Sequence, residues 1–200
     1  MSSFLFGSTS SVYSVNSKVP FSETDSLNRL ISPYAVTKRA AELMCHAYHH
    51  NFGLPVTCLR FFTVYGPRQR PEMAIHKFTR MILAGETIPV YHRGLSERDY
   101  TYVDDIVQGV TACLNRPFEF EIFNLGNSRT VALLDLIREL EKCLGKTACL
   151  ELLPAQPGDV PVTLADIQKA SSKLDYSPGT STEEGIARFV EWYRRNIALD

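Results

Sequence analysis

Short apolar runs alternate with longer stretches of helical periodicity along this chain. The apolar runs have the length and composition of strands buried in a parallel sheet, and they cover residues 4–6, 54–62 and 121–125. The periodic stretches predict α-helices, of which the clearest cover residues 32–51, 73–83 and 131–144. A stop-signal glycine follows each of these helices, at positions 53, 85 and 145.

The remaining segments extend the same alternation. Further strands are predicted over residues 88–91, 99–103 and 149–153. Further helices are predicted to start at three N-cap positions, namely Asp104, Asp166 and Ser181. Strands and helices in this order are typical of an α/β fold built around a largely parallel sheet.

Composition and charge exclude some classes of partner. The 200 residues carry a formal net charge of -1 and contain no run of Lys or Arg, so nothing favours nucleic acid or an anionic membrane surface. No stretch of 18 apolar residues is present, and no basic-then-apolar leader opens the chain. We therefore expect a soluble, cytoplasmic protein that binds neither nucleic acid nor membrane.

Cysteine and histidine residues add no metal or disulfide chemistry to this picture. The five cysteines form no CxxC pair, their odd number cannot fully pair, and most lie in apolar segments, which fits a reducing compartment. His46, His49 and His50 share one predicted helix, but no carboxylate or cysteine completes a site around them. We predict no bound metal.

Candidate chemistry lies at the start of the helix over residues 32–51. Ser32 suits the N-cap and Pro33 the first turn. Tyr34 and Lys38 follow four positions apart, so they share one face of the helix. A nearby ammonium stabilises phenolate, the form of tyrosine that acts as a general base. Taken alone, this spacing is more typical of an ordinary helix, so the neighbouring loops must decide.

Two loops follow predicted strands and carry polar side chains. Thr9, Ser10 and Ser11 follow the strand at residues 4–6, and the loop over residues 63–71 follows the strand at 54–62. Ligands of open α/β sheets bind beyond the carboxyl ends of the strands. Both loops and the Tyr34 helix are therefore expected to converge on one crevice.

Four ordered motifs resemble those of the extended short-chain dehydrogenase/reductase family. They are Thr9-Ser10-Ser11, the Tyr34-x3-Lys38 pair, residues 60–68 (RFFTVYGPR) and residues 98–105 (RDYTYVDD). Within that family the chain resembles the nucleotide-sugar 4-epimerases, and most of all the UDP-glucuronate 4-epimerases. The resemblance extends from residue 4 to about residue 195.

The resemblance implies a Rossmann-type fold in two parts. Residues 1–66 and 99–126 would form the carboxyl-terminal part of an NAD-binding domain that carries the catalytic residues. Residues 67–98 and 127–200 would form a small α/β domain that binds the nucleotide sugar. No GxGxxG follows a strand, so the family's segment that binds the NAD pyrophosphate is expected to be missing, leaving a free sheet edge.

The resemblance also implies how the residues act. Tyr34 would take the proton of the sugar 4-hydroxyl while hydride passes to NAD. Lys38 would hold the nicotinamide ribose, and Thr9 would bridge the sugar 4-oxygen and the tyrosine. NAD would thus contact Tyr34, Lys38 and Phe61. The 4-keto sugar then turns over, and hydride returns to its other face.

Ser10 and Ser11 separate this chain from sister activities. The related 4,6-dehydratases have acidic residues at both positions, and decarboxylating relatives tend to have glutamate at the second. Both positions here carry hydroxyls. The resemblance therefore favours an epimerase in which Ser10 and Ser11 contact the substrate.

Four further residues match substrate-binding positions of the family. Thr63 and Arg70 match positions that bind the uronate carboxylate, a group for which a guanidinium is well suited. Arg98 matches the arginine on the pyrophosphate, and Asp159 matches the residue on the uridine ribose. Two purely structural roles stay open: Arg68 could brace its own loop, and Asp159 could cap a turn.

One departure from the family concerns Ser14, which follows Tyr13 where glycine is usual. The backbone of this turn is therefore expected to need adjustment.

Three hypotheses on function remain open. The first is NAD-dependent conversion of UDP-glucuronate to UDP-galacturonate. The second is a non-catalytic module that binds UDP-sugars or self-associates, and the third is an epimerase of neutral UDP-glucose. The helix over residues 32–51 resembles the dimer-forming helix of the family, which predicts a homodimer.

Overall fold

The structure is a computed structural model that describes residues 3–14, 18–155 and 160–197. Its strands are β1 (Phe4–Thr9), β2 (Val56–Phe61), β3 (Thr63–Tyr65), β4 (Thr87–Val90), β5 (Glu97–Arg98), β6 (Tyr100–Tyr102), β7 (Phe120–Leu125), β8 (Val131–Ala132) and β9 (Cys149–Leu152). Its α-helices are α1 (Pro33–Phe52), α2 (Ala74–Ala84), α3 (Val103–Asn115), α4 (Leu133–Leu144), α5 (Gln168–Leu174) and α6 (Thr182–Asn196).

A three-stranded parallel sheet, in the order β1-β2-β7, forms the centre of the fold. Thr9 pairs with Phe61, and Phe61 pairs with Leu125, so the carboxyl ends of all three strands are level. The predicted α/β fold and the three predicted strands are confirmed, but the predicted burial of residues 4–6 is wrong, because β1 is an edge strand of this sheet and Phe4 is 47% exposed. Because the strand ends are level, the loops that follow β1 and β2 leave the sheet at the same edge.

The other strands form three separate pairs. β3 pairs with β6 and β4 with β9, both in parallel, and β5 pairs with β8 in antiparallel fashion. Thr63 at the start of β3 also donates its backbone N–H to the carbonyl of Asp99. This bond directs the chain after β2 away from the sheet and towards β6.

Two main hydrophobic clusters support these elements. The first lies between the sheet, α3 and α5, and includes Leu59, Ile106, Cys113, Phe123, Leu125, Ala170 and Leu174. The second joins α2, α4 and α6 to β4, and includes Ile75, Ile82, Ile88, Leu136, Ile137 and Phe189. Strands β2 and β7 of the central sheet therefore pack in a cluster separate from that of α2, α4 and α6.

Helix α1 has the limits that the sequence predicts. The Ser32 side chain accepts a hydrogen bond from the backbone N–H of Ala35, and Pro33 occupies the first turn. Gly53 ends the helix in the left-handed conformation, with φ 65°, which favours glycine. These local signals position the first turn of α1, and Tyr34 with it, beside the sheet.

Two predicted helix caps have different outcomes. Ser181 accepts a hydrogen bond from the backbone N–H of Glu184, which confirms the cap of α6. The predicted cap at Asp104 is wrong, because α3 begins at Val103 with Tyr102 at the N-cap and no side-chain cap bond. Asp104 lies inside the first turn of α3, where its negative charge interacts favourably with the positive end of the helix dipole.

The described cysteines form no disulfide. Cys45, Cys58 and Cys113 are buried and free, and burial raises the pKa of the Cys113 thiol to about 11. Cys149, by contrast, is exposed. Among the residues that the structure describes, no three His, Cys, Asp or Glu side chains gather as metal ligands. In that same part of the chain no helix has the length and apolarity required to cross a bilayer.

Gly185 on α6 allows a close approach that a larger residue would prevent. A Cβ at this position would lie 2.0 Å from the hydroxyl oxygen of Tyr65, a side chain only 2% exposed. We expect Gly185→Ala to lower the free energy of unfolding by about 1–3 kcal/mol, the usual cost of overpacking a core. Urea denaturation measures this change.

Gly179 provides the matched control for that substitution. A Cβ at Gly179 would meet no atom within 4 Å, so Gly179→Ala should leave the free energy of unfolding nearly unchanged. Equal stability of the two alanine variants would contradict the tight contact between α6 and β3.

Candidate active site

A cavity of about 550 Å³ opens at the carboxyl ends of β1 and β2. Its wall comes from the end of β1, the first turn of α1, the end of β2, and β3 with the loop after it. The polar lining side chains are Ser8, Thr9, Ser10, Ser11, Tyr34, Thr63, Tyr65, Arg68, Gln69 and Arg70. The two loops and the helix start that the sequence singled out therefore share one space.

Tyr34 and Lys38 occupy different positions relative to this cavity. Tyr34 lies on the wall and is 53% exposed. The Lys38 ammonium lies outside the lining and donates a hydrogen bond to the carbonyl of Gly7, at 2.8 Å. It also lies 5.2 Å from the centroid of the Phe6 ring. Lys38 thus holds α1 against β1, and its ammonium has two further N–H donors.

Thr9 organises the turn that follows β1. Its hydroxyl donates to the hydroxyl of Ser11 and accepts the backbone N–H of Ser11, each at 3.2 Å. Thr9 thereby caps a short 3-10 turn over Ser10–Tyr13. The cap keeps Thr9, Ser10 and Ser11 together on the wall that also carries Tyr34.

Gln69 braces the loop after β3, a role that the sequence left open for Arg68. The Gln69 side chain donates to the carbonyl of Val64 and accepts the backbone N–H of His76. Arg68 itself has a left-handed backbone with φ 65°, and it makes no side-chain hydrogen bond or ion pair to the residues described. Gln69 therefore fixes the loop, and Arg68 remains a charged residue of the cavity wall.

Arg70 lies on the same wall in an exposed ion pair. Its Nε is 3.3 Å from the Glu72 carboxylate, and the two side chains are 76% and 63% exposed. Exposed pairs of this kind contribute little stability. The Arg70 guanidinium can therefore exchange this partner for a ligand carboxylate at small cost.

A second cavity, of about 240 Å³, continues from the first. The two share Ser10, Ser11 and Thr63, and the second adds Arg98. Arg98 donates to the carbonyls of Glu97 and Pro161, at 3.0 and 3.2 Å. Together the cavities form a polar path from Tyr34 to Arg98. Asp159 lies outside the described residues.

A buried charge network behind the cavity escaped the sequence analysis. Arg60 and Glu42 are each 1% exposed and form a two-bond ion pair, with Arg60 Nε and one terminal nitrogen donating at 2.9 and 2.8 Å. The other terminal nitrogen of Arg60 donates to the hydroxyl of Tyr13, which donates in turn to Asn124. The network thus joins α1, β2, β7 and the turn after β1.

The charges in this network affect one another. Burial alone would raise the pKa of the Glu42 carboxyl, but the hydrogen bonds and charge of Arg60 outweigh burial and hold this pKa below its usual value. Burial raises the pKa of Tyr13 to about 12, so its phenol stays a neutral donor. One signal was present in the sequence: Glu42 lies one turn after Lys38, on the same face of α1.

Asp99 is a second buried carboxylate that the sequence analysis missed. It is 0% exposed and accepts backbone N–H groups from Asn127, Ser128 and Ala165, together with the hydroxyl of Thr101. These bonds fix the chain after β7 next to β5 and β6. Asp99 therefore fixes the chain that immediately follows Arg98.

The turn at Ser14 has the adjusted backbone that the sequence predicts. Ser14 has φ 54°, a left-handed conformation that favours glycine. Its hydroxyl accepts the backbone N–H of Ile31, at 3.1 Å. This bond compensates for part of the strain and ties the turn to the segment before α1.

The level strand ends, the Tyr34 helix and the hydroxyl turn agree with one known family. Residues 1–126 match the NAD dependent epimerase/dehydratase family. The chain belongs to this family. The resemblance to nucleotide-sugar epimerases and the Rossmann-type fold that the sequence analysis gave are therefore confirmed.

Several individual relatives carry the name of a particular 4-epimerase. A UDP-glucuronate 4-epimerase of Thermodesulfobacterium geofontis is 42% identical over 98% of this chain and 60% of its own length. The Bacillus cereus UDP-glucuronic acid 4-epimerase, solved with UDP-glucuronic acid and NAD, superposes with a TM-score of 0.90 at 41% identity, over 96% of this chain and 62% of that one. A Thermotoga maritima UDP-glucose 4-epimerase, solved with UDP-glucose, superposes with a TM-score of 0.89 at 34% identity. The match covers 98% of this chain and 64% of that one.

Coverage limits what these relatives say about the whole protein. The chain spans 59–62% of the length of the first curated relatives that it matches. Activity, substrate and partners are therefore matters for proposal.

Proposed function

We propose that this chain takes part in NAD-dependent 4-epimerisation of a UDP-sugar, converting UDP-glucuronate to UDP-galacturonate. One observation carries the proposal: the Tyr34 phenol shares its cavity with the hydroxyls of Thr9, Ser10 and Ser11, and no Asp or Glu is among the described residues that line it. Hydroxyls can orient a sugar, whereas eliminating water from it requires an acid and a base. The lining therefore favours epimerisation over dehydration.

In this proposal Tyr34 is the acid and base of the reaction. Its phenolate accepts the proton of the sugar 4-hydroxyl and later returns a proton to the 4-oxygen. Thr9 donates or accepts a hydrogen bond at the same oxygen. Bound NAD supplies the hydride acceptor and donor, and Tyr34 and Phe61 on the wall, with Lys38 beside it, are the residues of this chain that fit its nicotinamide end.

The anionic parts of the substrate are assigned to separate basic residues. Arg70 and Thr63 bind the uronate carboxylate, because a guanidinium provides paired N–H donors to carboxylate oxygens. Arg98, at the other end of the cavity path, binds the diphosphate. Asp159 is proposed for the uridine ribose on the resemblance alone.

The division of the chain follows the same assignment. We propose that residues 1–66 and 99–126 belong to the cofactor-binding unit, and that residues 67–98 and 127–200 belong to the substrate-binding unit. The separate cluster of α2, α4 and α6 supports this division. Helix α5 packs instead with the sheet, so the two units share that contact.

The direct test is product formation. The purified chain, alone and fused after the amino-terminal segment of the Bacillus cereus relative, is incubated with NAD and UDP-glucuronate, and UDP-galacturonate is measured by chromatography. We expect the fusion to convert UDP-glucuronate to UDP-galacturonate. If neither form produces UDP-galacturonate while the intact relative does so in the same assay, the proposal is refuted. If calorimetry then shows that the chain binds UDP without turnover, a non-catalytic UDP-sugar-binding module is favoured.

Arg70 tests the choice between a charged and a neutral sugar. Removing a charged hydrogen-bond donor costs roughly 1.5–3 kcal/mol, so Arg70→Ala is expected to lower kcat/KM for UDP-glucuronate about 10- to 100-fold. The kcat/KM for UDP-glucose should change less than about threefold, because that sugar has no carboxylate. Both values come from chromatographic measurement of the product of each sugar.

Arg80→Ala is the control for this prediction, since Arg80 forms an exposed ion pair with Glu86 away from the cavity. A uronate preference that survives Arg70→Ala would show that Arg70 has another role. A parent chain that prefers UDP-glucose would instead favour the neutral-sugar epimerase, an alternative that the similarity to the Thermotoga maritima enzyme supports.

We also propose that the protein is a homodimer formed through α1. This helix exposes an apolar stripe at helical spacing, consisting of Val36, Ala40, Leu43 and Ala47. Val36 and Leu43 are 50% and 55% exposed, and exposed apolar stripes commonly mark protein interfaces. Light scattering is expected to give the mass of a dimer for the parent and of a monomer for Leu43→Glu.

Val107→Glu, which changes an exposed apolar residue on α3, should leave the dimer intact. A monomeric parent would exclude the dimer, and a dimeric Leu43→Glu variant would exclude the α1 stripe as its interface.

A further inference from the structure

Two consecutive residues of β1 are bonded to two residues one turn apart on α1. The carbonyl of Gly7 accepts from the Lys38 ammonium at 2.8 Å, and the Ser8 hydroxyl donates to the Glu42 carboxylate at 2.6 Å. Ser8 and Glu42 are both buried, at 4% and 1% exposed. These side-chain bonds fix both the distance and the axial register between the helix and the strand.

Glu42 is itself held firmly, so the bond to Ser8 has a fixed anchor. Arg60 on β2 donates to both carboxylate oxygens of Glu42, and Arg39 adds a third donor at 2.9 Å. Arg60 is among the largest fully buried side chains described. A carboxylate with this many donors cannot rotate without leaving a buried charge unpaired, which is costly.

The anchored bond lies next to the groups that line the cavity. Ser8 immediately precedes Thr9, whose hydroxyl caps the turn that carries Ser10 and Ser11. Glu42 lies two turns along α1 from Tyr34, on the same face. A shift of α1 along β1 would therefore move the Tyr34 phenol relative to the Thr9 hydroxyl.

We propose that Ser8 and Glu42 form a positioning pair that sets Tyr34 against Thr9 for proton transfer. Neither residue exchanges a proton with the substrate in this role. The inference rests on the proposed function, because it assigns Tyr34 and Thr9 to the reacting oxygen. A misplacement of about 1 Å at a reacting group can cost on the order of 100-fold in rate, which is why positioning of this kind matters.

Ser8→Ala tests the pair with little damage to the fold, because Glu42 keeps its donors from Arg60 and Arg39. We expect kcat to fall about 10- to 100-fold while KM stays within about twofold. A direct contact between Ser8 and the substrate would raise KM instead. The assay is the UDP-galacturonate measurement described above, on whichever form of the chain turns over.

Thr79→Ala is the matched control. Thr79 is also a buried hydroxyl, and it donates to the carbonyl of Ile75 on α2, away from the cavity. The Thr79→Ala variant should lose about as much thermal stability as Ser8→Ala and keep the kcat of the parent. A parallel loss of kcat in the two variants, or an unchanged kcat in Ser8→Ala, would overturn the positioning role.

A measurement without turnover separates this inference from the proposed function. The Lys38 ammonium protons should exchange with water several-fold faster in Ser8→Ala than in the parent or Thr79→Ala, as followed by 15N NMR of the lysine side chains, because the contact between β1 and α1 is loosened. Unchanged exchange would refute the inference even if the enzyme is active. Faster exchange combined with no epimerase activity in either the chain or its fusion would refute the proposed function and leave only the structural contact.

Discussion

The Tyr34→Phe variant is expected to lose about 10³-fold in kcat while it folds as stably as the parent. General acid–base groups typically contribute 10²- to 10⁴-fold, and the Tyr34 hydroxyl is the proposed acid and base of the cavity. Tyr34 is 53% exposed, and its hydroxyl makes no hydrogen bond to the residues described, so removing the oxygen should not disturb the fold. Initial rates of UDP-galacturonate formation and a thermal melt measure the two effects.

Tyr48→Phe is the control for this change. Tyr48 is an equally exposed tyrosine on α1, and its ring packs near Phe52 at 5.4 Å between centroids. Its variant should keep the parent rate. A Tyr34→Phe variant that retained more than about a tenth of kcat would exclude Tyr34 as the general base.

Breaking the buried pair of Glu42 and Arg60 is expected to cause the largest loss of stability. Glu42→Leu or Arg60→Met leaves one buried charge without its partner, which typically costs about 3–5 kcal/mol. For a chain of this length, each kcal/mol lowers Tm by roughly 2–4 °C. Each single variant should therefore melt about 6–20 °C below the parent in a calorimetric or circular dichroism scan.

The double variant separates the pair from its surroundings. Replacing both charges by apolar side chains is often neutral or stabilising, so Glu42→Leu with Arg60→Met should recover much of the loss. The coupling energy from urea denaturation of the four proteins should exceed about 2 kcal/mol. The recovery will be incomplete, because Arg60→Met also removes the hydrogen bond to the Tyr13 hydroxyl. Losses in the two single variants that simply add in the double variant would contradict the ion pair.

The same pair predicts a dependence of stability on pH. Arg60 holds the pKa of the Glu42 carboxyl below its usual value although burial opposes this, so the unfolded chain binds this proton more readily. The contribution of Glu42 is therefore present above its unfolded pKa, about 4.3, and is lost as the pH falls through the lower folded pKa. Urea denaturation at pH 7 and pH 3.5 should show a larger loss for the parent than for the double variant.

Local chemistry determined the elements that carry the site. Ser32, Pro33 and Gly53 set the two ends of α1 through bonds and dihedral preferences within a few residues, so the sequence predicted them correctly. The presence of the three central strands followed from apolar runs in the same way. The positions of Thr9 and Tyr34 at one sheet edge then followed from the general rule for parallel sheets.

Contacts between distant residues could not be predicted in this way. The Lys38 ammonium, for example, bonds the carbonyl of Gly7, 31 positions earlier in the chain, a contact that the sequence did not predict. Gln69, rather than Arg68, braces the loop after β3, because its side chain reaches both Val64 and the start of α2. The choice between neighbouring side chains of one loop depends on where each of them points.

The sequence by itself determined the α/β alternation, the helix that begins before Tyr34, and the group of hydroxyls that follows β1. Only the tertiary structure decided how these parts are held together, since Glu42 meets Ser8 and Arg60 across 34 and 18 positions of the chain. The physical reason is that helix and strand signals are local, whereas burying a charge requires a partner that only packing of the whole chain can bring into contact.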